Sequence, residues 1–149
     1  TEPQLLRPGS ISPAMLVELL KHPVRIPTVG TAAVRVPGSH AIHYAPATAL
    51  SLVPSAVLWS EAARLAKGGR RVVVVHRGPL PAGLREGVMA LAMPGQPEDY
   101  GRELYGALRR ADALGAGRLL IEAPPESEDW LAIRDRLTRA AAGSAPNAP

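Results

Sequence analysis

The chain has 149 residues with no cysteine and no phenylalanine; 46% are hydrophobic and only 3% aromatic, and the net charge is +4 with a pI near 10.1. Disulfides and thiolate metal sites are therefore excluded, no apolar run reaches the length of a membrane span, and the start TEPQLLRPGS lacks the basic-then-apolar order of a secretory signal. The expectation is a soluble, cytoplasmic protein with one core of Leu, Val, Ile and Ala, whose basic balance permits an acidic partner without demonstrating one.

In chain order, Gln4 to Arg7 reads as the end of a strand running into a Pro8-Gly9 turn. Ser12 then caps a short helix with Pro13 at its first position, Leu16, Leu19 and Leu20 on its apolar face, and Pro23 as its stop. Residues 22 to 46 show no sustained period and are broken by Pro23, Pro27, Pro37 and Pro46. A stretch of that length is a linker or a functional loop.

From Ala49 the pattern changes. ALSLV is a short buried strand, and Ser55 to Lys67 a helix closed by Gly68-Gly69. RVVVV at 71 to 75 is the clearest strand, because β-branched residues run without alternation. After the turn-rich RGPLPAGLREG comes a further strand, Val88 to Met93. PGQPED opens a helix with Glu98 and Asp99 in its first turn and arginines in its last. RLLIEA is another strand. The last helix runs from about Glu128 to Ala141, with Trp130, Ile133 and Leu137 inward and Arg134, Arg136 and Arg139 mostly outward. GSAPNAP reads as a frayed tail.

Continuous apolar strands alternating with amphipathic helices predict an α/β fold. The expected form is a small Rossmann-like three-layer domain with a mainly parallel sheet of four or five strands, preceded by an extended linker. The expected division is 1–21 as the end of another unit, 22–46 as linker, 47–142 as the α/β domain and 143–149 as disordered tail.

Candidate chemistry is sparse. There is no GxGxxG and no GxxxxGK[ST], and Gly68-Gly69 follows a helix rather than a strand. His40 and His43 have no third ligand nearby, so no metal site is expected. No serine stands in a GxSxG elbow. His76 and Glu122 end strands, at the edge where α/β sites form. His76 reads as a solvent-facing histidine, and Glu122 has no assignable partner. Tyr100 and Tyr105 read as helix core residues. Arg7, in LRPG, places a guanidinium where a strand exits into a turn, suited either to a phosphate or to plain solvent. His43-Tyr44-Ala45-Pro46 sets an imidazole beside a phenol in the linker, ahead of a helix-stopping proline.

Three segments together resemble one family: LLRPGSIS at 5–12, PGSHAIHYAPATAL at 37–50, and YGRELYGALRRADALGAGRLLIEAPPESEDWLAIRDRLTRAA at 100–141. Their order is similar to the C-terminal part of L-threonylcarbamoyladenylate synthase of the two-domain Sua5 type. There a YrdC-like catalytic domain ends in LRPG, a linker carries HYAP, and a Rossmann-like Sua5 domain follows. Leu108, Arg109 and Asp112 match one helix motif of that domain; Arg136, Leu137, Arg139 and Ala140 match the last.

The resemblance implies a reaction that condenses L-threonine, bicarbonate and ATP, taken with Mg, into threonylcarbamoyl-adenylate and pyrophosphate, for the t6A modification of tRNA. It implies that Arg7 contacts the ATP phosphates, and that His43 and Tyr44 lie on a lid over a cleft in the YrdC-like domain, or else pin the linker between the domains. Most of that domain is missing here, so the expectation is an accessory, regulatory part with no catalytic residue of its own and the YrdC-like domain as partner in cis. Family arginine and lysine positions flanking HYAP are Ile42 and Ala47 here, which removes two cationic contacts. The alternative is a free-standing tRNA-, protein- or nucleotide-binding module.

Overall fold

The computed structural model describes residues 2–26 and 45–144. Among them lies a four-stranded sheet formed by β1 (Leu50–Val53), β2 (Val72–His76), β3 (Val88–Ala92) and β4 (Arg118–Glu122). The spatial order is β1-β4-β2-β3 and every pair is parallel. The register sets Leu50 beside Leu119, Val73 beside both Leu119 and Met89, and His76 beside Ala92.

The expected three layers are present. Helix α2 (Leu58–Lys67) covers one face with Leu58, Ala62 and Leu65 against Val72, Val74 and Leu120. Helices α3 (Pro97–Ala113) and α4 (Leu131–Gly143) cover the other, with Leu104, Leu108, Ile133 and Leu137 against Val73, Val75, Leu119 and Ile121. Residues 72 to 75 are at most 1% exposed. A strand covered on both faces gains from apolar residues at every position, which is why RVVVV runs unbroken. Edge strand β3 is only half-buried.

Two helix starts differ from expectation for local reasons. Helix α2 begins at Leu58 rather than Ser55, because the Ser55 hydroxyl bonds to Glu122 and does not cap the helix. The final helix is preceded by a 3-10 turn at Glu128–Trp130 and continues through Gly143. Beyond it, the Ser144 hydroxyl accepts from Leu50 N at 3.0 Å and donates to Ala141 O.

The amino-terminal residues make a small unit of their own. Gln4 forms an isolated parallel bridge with Arg25, with Leu5 N donating to Arg25 O and Arg25 N to Pro3 O, both at 2.9 Å. Helix α1 (Pro13–Leu20) is capped by the Ser12 hydroxyl, which accepts from Met15 N. It ends at Leu20, before Pro23, because Lys21 turns left-handed at φ 54° and returns its N–H to Val17 O. Pro13 is its one buried residue. No helix among the described residues is long and apolar enough to cross a membrane.

Candidate functional site

In an open parallel sheet, ligands gather beyond the carboxyl ends of adjacent strands whose chains depart to opposite faces. Here β1 leads to α2 on one face and β4 leads to α4 on the other, so the crevice lies between Val53 and Glu122. The chain's own side chains meet there. Glu122 Oε1 accepts from the Ser55 hydroxyl at 2.7 Å and from Arg77 Nη2 at 3.2 Å. Its Oε2 accepts from the backbone N–H groups of Arg77 at 2.6 Å and Gly78 at 3.2 Å. Arg77 also donates to Ala123 O at 3.2 Å and sits 4.9 Å over the Trp130 ring. The Arg77 and Glu122 side chains are 15% and 9% exposed.

Burial alone would push the Glu122 carboxyl up. The hydrogen bonds from Arg77 N, Ser55 and Gly78 N, and then the Arg77 charge, outweigh it and hold the group below the usual carboxylate range. A carboxylate so fully engaged is a poor proton shuttle. It ties the chain after β1, the chain after β2 and the end of β4 to one point. Tyr100 packs edge-on against Trp130 at 5.3 Å, and burial pushes its hydroxyl up to about 12.

The expectation for His76 is overturned: it is 4% exposed, not solvent-facing. As the last residue of a strand covered on both faces, it lies under α2. Its Nδ1 donates to Gly78 O at 2.7 Å and its ring meets Trp59 edge-on at 5.2 Å. Tyr100 is core, as expected, and Tyr105 packs at the core's margin. Arg139, expected outward, donates to buried Asp135 at 3.0 Å. Arg134 and Arg136 are half-buried.

A second concavity lies between the amino-terminal unit and the starts of α3 and α4. It measures about 730 Å³ and is lined by Gly9, Ser10, Ser12, Glu98, Arg102 and Arg136, among others. Glu128, on its wall, holds α1 by accepting from Ala14 N at 2.8 Å. Arg102 ion-pairs with Glu98 and Asp99, so most of the cavity's charge is internally balanced. Arg7 is half-buried, two residues before Gly9 on the wall of this cavity. His43 and Tyr44 lie outside the described residues. The chain that follows them is firmly held: Ala47 N and Thr48 N donate to the two Asp112 carboxylate oxygens at 2.9 and 3.0 Å. No group of three His, Asp or Glu among the described residues is arranged to hold a metal.

A family model for the C-terminal domain of threonylcarbamoyl-AMP synthase matches residues 11–142. The chain belongs to that family. A crystal structure of Sua5 from P. abyssi in complex with L-threonine superposes with a TM-score of 0.71 at 26% identity, covering 96% of this chain and 44% of that one. A P. abyssi Sua5 variant with a histidine and the adjacent tyrosine replaced by alanine superposes with a TM-score of 0.73 at 23% identity, covering 97% and 44%. The chain thus spans less than half the length of these relatives. No curated protein matches it.

Membership of the Sua5 C-terminal family gives the motif residues concrete places. Asp112, at the end of α3, clamps the chain that emerges from HYAP. Leu108, Leu137 and Ala140 are core. Ser55, Arg77 and Gly78, the partners of Glu122, were not singled out by sequence reasoning. The available signal was only an arginine directly after one strand and a glutamate ending another; that the two strands are neighbours comes from the fold.

Proposed function

We propose that this chain is the accessory part of a threonylcarbamoyl-AMP synthase, and that its linker gates a catalytic cleft supplied by a YrdC-like domain in cis. The observation that carries the reading is the anchoring of the linker at both ends. Arg25 is bridged to Gln4 and Leu5 on one side, and Ala47 and Thr48 are clamped by Asp112 on the other. Between these fixed points the sequence carries His43 and Tyr44, which in this reading close over the cleft and limit water access to a labile carbamate. A histidine–tyrosine pair was the target of substitution in the related Sua5, and another structure of that protein holds L-threonine. Both fit this assignment.

In this reading the whole enzyme, in the cytoplasm, joins L-threonine, bicarbonate and ATP with Mg into threonylcarbamoyl-adenylate, releasing pyrophosphate, for t6A modification of tRNA. Arg7 contacts the ATP phosphates. The remaining ATP and Mg contacts belong to the catalytic domain. At the crevice where such sheets take ligands, Glu122 and Arg77 are engaged with each other, which supports a role without chemistry of its own.

Helix α1 supports the same partner. It is apolar around most of its circumference, with Leu19 78% exposed and Met15, Val17 and Leu20 also exposed. Such a helix is normally covered by protein. The test is pyrophosphate release from ATP, threonine and bicarbonate. The 149-residue chain is expected to be silent, and the protein extended by a YrdC-like half to be active and sharply weakened by His43→Ala with Tyr44→Ala. Turnover by the isolated chain, or an undiminished double variant, would sink the reading.

A further inference from the structure

The amino ends of the strands gather positive charge that neither the core nor the proposed gate uses. Helix α2 ends at Lys67, and the turn after it brings Arg70 and Arg71 to the start of β2. Arg71 O accepts from Gly117 N at 2.9 Å and Arg118 N at 3.2 Å, and Val72 N donates to Gly87 O at 2.8 Å. These bonds bring Arg70, Arg71, Arg118 and the chain around Arg85 together. Helix α3 ends at the same side with Arg110.

Of the carboxylates at this end, Glu61 is ion-paired with Arg64 at 2.6 Å and Asp112 is committed to the linker backbone; Glu86 is exposed. The helix dipoles account for Lys67 and Arg110, which close α2 and α3. They do not account for Arg71 and Arg85, which stand exposed outside any helix. Arg118 donates to Ser51 at 3.0 Å. Its pKa is lowered by burial, then by the neighbouring Arg70 charge; Glu61 opposes this and Arg64 adds to it. Like charges held this close are relieved by a polyanion.

We infer that the end formed by Lys67, Arg70, Arg71, Arg85, Arg110 and Arg118 is a docking surface for the phosphate backbone of a folded RNA. A protein partner fits less well. Protein interfaces centre on aromatic and apolar anchors, whereas Trp59, Tyr100 and Trp130 all lie towards the opposite end of the domain. With those rings at the other end, the contact that the described residues offer is with phosphates and is sequence-tolerant. The inference does not rest on the gating role: these residues lie across the domain from the cavity beside α1, and at their end the linker is held through its backbone by Asp112.

The test is fluorescence anisotropy of a labelled RNA hairpin titrated with the 149-residue chain over a range of salt. Affinity is expected to fall steeply as salt rises. A triple variant, Lys67→Glu, Arg71→Glu and Arg85→Glu, is expected to bind at least about tenfold more weakly, with a salt slope flatter by about one for each phosphate no longer neutralised. The charge-conserving set Lys67→Arg, Arg71→Lys and Arg85→Lys keeps most of the affinity, which separates charge from misfolding. Arg102→Gln, at the opposite end, leaves the slope unchanged. Unaltered binding by the charge-reversed variant, no salt-dependent binding, or equal competition by polyglutamate at matched charge would each overturn the inference; the last would point to an acidic protein instead.

Discussion

At the carboxyl ends of the strands, opposite charges meet and are buried: Glu122 takes four hydrogen bonds and Arg77 lies against Trp130. At the amino ends, like charges stand together in solvent, with Arg71 and Arg85 exposed and Arg118 crowded by Arg70. The same sheet carries both arrangements, and they differ in what they serve. The first holds connecting loops to one point and depends little on salt. The second adds little to folding and keeps its long-range field for a partner.

Substitutions sharpen that contrast. Glu122→Ala removes the acceptor of four donors and leaves Arg77 charged and half-buried without its carboxylate, so a destabilisation of about 3–5 kcal/mol is expected in chemical denaturation. Because the folded Glu122 pKa is lowered, its contribution is complete above the unfolded value and disappears as the pH falls through the folded one. Glu122→Gln should therefore flatten the acid limb of the stability curve; an unchanged acid limb would show that the carboxylate is not the ionised anchor described.

At high pH the sign reverses. Tyr100 binds its proton more tightly folded than unfolded, so stability is full below its ordinary value of 10.0 and falls as the pH rises towards about 12. The expected decrease is about 2–3 kcal/mol over that window. Tyr100→Phe should abolish it, as read by denaturation at a series of alkaline pH values.

Asp112→Ala strips the acceptor from two backbone N–H groups and should cost about 1–2 kcal/mol. It should also loosen the linker's fixed end, seen as faster amide exchange at Ala47 and Thr48. The smallest effect belongs to the basic end: Arg71→Ala should change stability by no more than about 0.5 kcal/mol. A large destabilisation there would mean that the exposed cations are structural after all.

The contrast also shows what a sequence makes legible. The three-layer sheet was readable because burial on both faces demands unbroken apolar runs, and RVVVV and RLLIEA are such runs. Strand order was not readable, since β1 pairs with a strand that begins at Arg118, far along the chain. Nor was the site. Ser55 looks like the start of a helix, His76 looks like a surface histidine, and only the fold brings Ser55, Arg77 and Glu122 within bonding distance. The linker motif rests on resemblance alone, and the clamp on the chain that follows it came from an aspartate in the last turn of a helix far along the chain.

The placement of β4 between β1 and β2 bears on how the domain is made. The sheet's first strand, LSLV, has no sheet partner until residues 118–122 exist, while β2 and β3 are adjacent in both chain and space. Parallel pairing across so long a loop is slow, because the entropy of closure is spent before any contact forms. We therefore expect α2, β2 and β3 to assemble first as the chain leaves the ribosome. The RLLIE strand then enters last, as a keystone that joins β1 to the rest and, through Glu122, locks both neighbouring loops in the same step.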